Sequence, residues 1–103
     1  MKEAKIEFND LFLEGYNNLK ISNPKIIDKL RIFIEFKKNR PPKKLPNGFK
    51  DHKLKGKLDG FFECHLDGQK GNVLLIYTDV GDRVVLIACC DHNELKTISS
   101  KIK

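Results

Sequence analysis

The chain has 103 residues, with 20 Lys and Arg, 14 Asp and Glu and 3 His, giving a formal net charge of +6 and a pI near 9.3. This length supports one domain, 1–103, around a single core, and a hydrophobic fraction of 40% excludes a disordered polyelectrolyte. There is no run of about 18 apolar residues to cross a membrane and no apolar stretch after Met1–Lys5 to act as a secretory signal. Three cysteines, an odd count, fit reduced thiols in the cytoplasm.

In chain order, Ala4, Ile6 and Phe8 alternate as a short first strand over residues 3–8. Asn9 or Asp10 can then cap a helix with apolar positions Leu11, Phe12, Tyr16 and Leu19, which Gly15 weakens slightly. Ser22-Asn23-Pro24 predicts a second helix start. Ile26, Ile27, Leu30 and Ile34 share one face of that helix, which ends near Asn39 before Pro41-Pro42. Residues 40–60, with three of the four prolines, read as a long loop rather than an element. Three strands follow: Phe61–Leu66, Val73–Tyr77 and Arg83–Cys89, with turns at Asp67–Gly71 and Asp79–Asp82. Asp91 can cap a short helix through Leu95, before a polar tail. The order β-α-α-β-β-β-α predicts an α+β domain, with an N-terminal αα-hairpin on one face of a small, antiparallel-rich sheet.

The charge is local. Residues 37–57 hold nine Lys and Arg against Asp51 alone, a segment of +8, while the other 82 residues hold eleven basic and thirteen acidic side chains, −2. Such a segment suits a polyanion, with salt-sensitive binding. It also fits a solvated helix end and loop. Its lysines are not interleaved with large apolar residues at helical spacing, which disfavours a membrane surface.

Three histidines, His52, His65 and His92, lie in the basic segment, late in a predicted strand and after the last strand. Imidazoles give and take protons near neutral pH. Two of them with a lysine suffice to cleave RNA through its own 2′-OH, the lysine stabilising the phosphorane. Three unrelated histidines are the alternative reading. No C-x₂-C pair exists, and Cys64 and His65 alternate to opposite sheet faces, so no metal is expected. No Gly-rich phosphate loop and no oxyanion motif beside a cysteine are present, so no nucleotide cofactor or thiol nucleophile is expected.

The run Leu45-Pro46-Asn47-Gly48-Phe49-Lys50-Asp51-His52-Lys53-Leu54-Lys55-Gly56 resembles the loop of YafQ-type toxins in the RelE superfamily. Gly60-Phe61, Glu63-Cys64-His65-Leu66, Leu74-Leu75-Ile76-Tyr77 and Asp91-His92-Asn93-Glu94-Leu95 extend the likeness over about residues 45–96. The resemblance implies a RelE-like fold and the toxin of a type II toxin–antitoxin system. Such a toxin is a metal-independent endoribonuclease that cuts mRNA on the ribosome, inhibits translation, and is held in a hetero-oligomer by a cognate antitoxin. It implies that His52, His65 and His92 transfer protons and contact phosphate, with Asp67 as a functional acid and Asn72 as a competing match. Lys50, Lys53 and Lys55 would bind mRNA or rRNA phosphate. Family members commonly carry Arg where this chain has Phe62 and Ala88, and Phe where it has Lys96. Lysine replaces a guanidinium only in part, so Arg83 or nearby lysines would stand in. The lost arginines also motivate a different reading, a non-catalytic RNA- or ribosome-binding module on the same scaffold.

Overall fold

The computed structural model describes residues 3–68 and 70–102. Its elements are β1 (Lys5–Phe8), α1 (Asp10–Ser22), α2 (Lys25–Lys37), β2 (His52–Lys53), β3 (Phe62–His65), β4 (Val73–Val80), β5 (Arg83–Asp91) and α3 (Leu95–Ile102). The strands form one sheet in the order β1-β5-β4-β3-β2. β1 runs parallel to β5, and the other pairs are antiparallel. The α+β architecture and the helix pair therefore stand as the sequence predicts. The last helix is displaced: Asp91 ends β5, its carboxylate accepts the Glu94 N–H at 2.8 Å to close a turn over residues 92–94, and α3 occupies the stretch predicted as a polar tail.

Asn9 caps α1: its side chain accepts the Phe12 N–H at 2.9 Å. Gly15 has a different role from the weakening predicted. A Cβ there would lie 1.8 Å from the Cys89 carbonyl oxygen, so only glycine lets α1 lie this close along β5. α2 starts at Lys25 without a side-chain cap. Asn23 instead reaches Asp67, its Nδ2 donating to Oδ2 at 3.3 Å. Phe12, Ile26, Leu30 and Phe33 of the two helices pack on Cys64, Leu75, Tyr77, Val84 and Leu86 to form the core.

Residues 40–60 are not a plain loop. They hold β2 and two 3₁₀ turns, Asn47–Phe49 and Gly56–Leu58, tied down by buried Leu45, Phe49 and Leu58. Burying those three apolar side chains gives the segment a fixed course, which its Pro and Lys content conceals.

One irregularity in β5 positions the site. Ile76 pairs with Ala88, but Tyr77 pairs with Leu86, which leaves Ile87 unpaired as a bulge. Past a bulge the alternation of side chains inverts. Cys89 joins Leu86 on the helix-covered face. Ala88 and Cys90 turn to the other face, with Glu63, His65, Leu74 and Ile76 opposite them across the sheet.

Candidate active site

The face away from α1 and α2 gathers the histidines. His52 pairs with Glu63, and Glu63 with Ile76, which pairs with Ala88, so these four residues form one row across the sheet. Glu63 and His65 lie two residues apart on β3 and so share that face. The Glu63 carboxylate stands between two rings, with Oε2 3.5 Å from His52 Nε2 and 3.8 Å from His65 Nε2. His65 is 5% exposed, and its buried Nδ1 has no hydrogen-bond partner among the described residues. The His92 ring meets His65 edge-on, with centroids 5.6 Å apart. All three predicted histidines therefore converge.

Hydrogen bonds settle which nitrogens are open. His52 Nδ1 lies 2.9 Å from the Lys50 carbonyl oxygen, an acceptor only, so Nδ1 carries hydrogen and Nε2 faces Glu63. The His92 backbone N–H donates to Asn72 Oδ1 at 3.0 Å, which identifies that atom as the acceptor. His92 Nδ1, 2.6 Å away, donates to the same oxygen, which leaves Nε2 as the ring's unprotonated nitrogen in the neutral imidazole. Asn72 is thus the residue that touches a histidine. Asp67 organises the turn beneath it, accepting the N–H groups of Asn72 at 2.8 Å and Val73 at 3.0 Å. The predicted acid Asp67 is thus connected to His92 through Asn72 rather than directly.

The basic residues divide. Lys37 is buried, with Nζ 3.5 Å from Asp79 and 3.8 Å from Asp51. Arg40 binds Asp79 at 2.6 Å, and Lys38 pairs with Glu35 at 3.4 Å. Lys43, Lys44, Lys50, Lys53, Lys55 and Lys57 remain exposed. Three of the nine basic side chains are therefore tied into ion pairs, and six present charge to solvent. Arg83 is not brought to the histidines. Its guanidinium grips Glu7 through two hydrogen bonds, of 2.6 and 3.1 Å, holding that carboxyl below its ordinary range. It starts β5, whereas His92 follows the end of β5, about 25–30 Å away at the rise of a strand.

Two further groups carry the site and were not assigned a role from the sequence. Glu63 is one; its spacing of two from His65 was the available signal. Asp51 is the other. It accepts a hydrogen bond from the Tyr77 hydroxyl and so anchors the residue next to His52 to the core. Of the two positions that lack the family arginine, only Ala88 faces the histidines. Phe62 is on the opposite face, stacked on Tyr77 at 5.3 Å.

Burial pushes all three thiols up, Cys90 to about 12, which suits buried packing and not nucleophiles. Among the described residues no group of three or more His, Cys, Asp or Glu forms a metal site. None of their helices is long and apolar enough to cross a membrane.

The fold recurs in solved structures. A copper-bound mutant toxin from Helicobacter pylori is 26% identical with a TM-score of 0.68, over 89% of this chain and 98% of that one. A chain of the E. coli DinJ–YafQ toxin–antitoxin complex is 23% identical with a TM-score of 0.71, over 89% and 96%. A YoeB/ParE toxin from Agrobacterium tumefaciens is 20% identical with a TM-score of 0.66, over 85% and 98%. The last two likenesses show the fold. No curated protein sequence matches the chain. The family described as the bacterial toxin of type II toxin-antitoxin systems, YafQ, matches residues 4–97, and with that span matched the chain belongs to the YafQ family of toxins.

Proposed function

We propose that this toxin is a metal-independent, ribosome-dependent mRNA endoribonuclease that inhibits translation in the cytoplasm and is restrained by a cognate antitoxin. The observation that carries the reading is the convergence of His52, His65 and His92 around Glu63, beside exposed Lys50, Lys53 and Lys55. The E. coli DinJ–YafQ complex supports the antitoxin partner.

In the proposed reaction the 2′-oxygen attacks the adjacent phosphorus and the bond from phosphorus to the 5′-oxygen breaks. The products are a 2′,3′-cyclic phosphate and a 5′-OH. One imidazole takes the 2′-OH proton and another delivers a proton to the leaving 5′-oxygen. His92 Nε2 and the exposed His52 ring share these two transfers. Buried His65 and Glu63 sit between them, with the Glu63 carboxylate 3.5 Å from His52 Nε2 and 3.8 Å from His65 Nε2. Lysine charge stabilises the phosphorane.

The reading as a non-catalytic RNA- or ribosome-binding module draws on one observation. All three arginines are engaged in ion pairs: Arg31 with Asp28, Arg40 with Asp79 and Arg83 with Glu7. Inducible expression with mapping of mRNA 5′ ends separates the two. Cleavage predicts new 5′-OH ends, lowered by about 10²–10⁴-fold in His92→Ala and His52→Ala. Growth arrest without cut transcripts, or unchanged cutting in each single histidine variant, overturns the catalytic reading.

A further inference from the structure

A pocket of about 300 Å³ opens between the Gly56–Leu58 turn and α3. Leu54, Leu58 and Leu95 line it with apolar surface, and Lys55, Lys57 and Lys96 stand at its rim. Its two walls are direct continuations of the two exposed histidines. Leu54 lies two residues after His52, about 7 Å along the extended chain, and its N–H donates to the Phe61 carbonyl at 2.9 Å, prolonging the β2 ladder. Leu95 and Lys96 open α3, three and four residues after His92.

We propose that this pocket takes one base of the RNA strand next to the cut, with the flanking phosphate on the lysine rim. The proposal rests on the RNA reading of the site. The lysines can lay their alkyl stems on the base while their ammonium groups reach phosphate. A strand whose phosphate sits at His52 has its neighbouring base within reach of Leu54. The lining is aliphatic, so it contacts a base without aromatic stacking, and the affinity it adds is modest.

The test uses full-length toxin and a 2′-O-methyl trinucleotide, which has no 2′-OH to attack. Methyl NMR follows Leu54 and Leu95 during titration, and an abasic trinucleotide with the same backbone serves as the comparison. The expected result is movement of both methyl sets with the base-bearing strand. Binding should be about tenfold tighter than for the abasic one, what burying one base face against apolar surface supplies. Leu95→Glu should remove that preference while Arg83→Ala, at the far end of β5, retains it. Equal binding of the two strands overturns the proposal and leaves a lysine rim alone. So does movement of these methyls only by an acidic amphipathic peptide, which would mark a protein-docking pocket. Base preference in a wild-type toxin that cuts no transcript would sink the nuclease reading and leave the pocket standing.

Discussion

Tyr77→Phe isolates one hydroxyl. The Tyr77 ring is fully buried between Phe33, edge-on at 4.9 Å, and Phe62, stacked at 5.3 Å, and phenylalanine keeps those contacts. What disappears is the hydrogen bond to the Asp51 carboxylate. A bond to a charged group contributes about 1.5–3 kcal/mol. The Asp51 side chain is 25% exposed and keeps Lys37 at 3.8 Å, so about 1–2 kcal/mol is expected here. In a domain of this size that lowers Tm by roughly 5–10 °C. The pH dependence has a definite sign. Burial, then the hydrogen bond and charge of Asp51, raise the folded phenol well above its ordinary value. An unfolded tyrosine ionises near pH 10. The stabilisation is therefore whole below about pH 10 and is lost as pH rises beyond it, because the unfolded state releases its proton first. Urea unfolding of wild type and Tyr77→Phe at pH 8 and pH 10.5 checks this. The gap between them should narrow at the higher pH. The hydroxyl also tethers the residue beside His52, so the His52 ring signals should shift in the variant and RNA cleavage should fall. Equal stability at pH 8, with His52 signals unmoved, would refute the argument that Asp51 and Tyr77 hold the loop.

Gly15→Ala should destabilise by about 2–4 kcal/mol, although alanine gains up to about 1 kcal/mol in an unconstrained helix. The reason is the Cβ that would lie 1.8 Å from the Cys89 carbonyl oxygen, and a stabilised variant in urea unfolding would show that α1 moves freely on β5. Arg83→Ala should leave RNA binding and cleavage within about twofold of wild type, because it removes only an exposed pair with Glu7 at the far end of β5. Lys53→Ala should instead weaken binding and lower the salt slope by about one. A loss in Arg83→Ala as large as that in Lys53→Ala would place Arg83 in the RNA interface.

Read alone, the chain already carries β1, the helix pair and the three long strands, because periods of 3.6 and 2 and the Pro and Gly punctuation are local properties, whereas β2 and the place of α3 escape it. It also marks the three histidines and the basic segment, since residue type and charge need no fold to be seen. The division of that segment is tertiary. Lys37 and Arg40 look like solvent-facing charge in the sequence, and become internal once β4 brings Asp79 against them. Asp67 is the named acid and Asn72 its competitor until the turn folds, when Asp67 accepts the Asn72 and Val73 N–H groups and the Asn23 amide, and Asn72 is the one of the two that reaches His92. Glu63 gains its role only from the register that sets it opposite His52. The unpaired Ile87 decides which face Ala88 and Cys90 join, and alternation by two assigns them wrongly. A bulge is one residue in a pairing between distant segments, so its cause lies in the partner strand as much as in β5. The histidines were legible as chemistry, and pairing between strands made them a site.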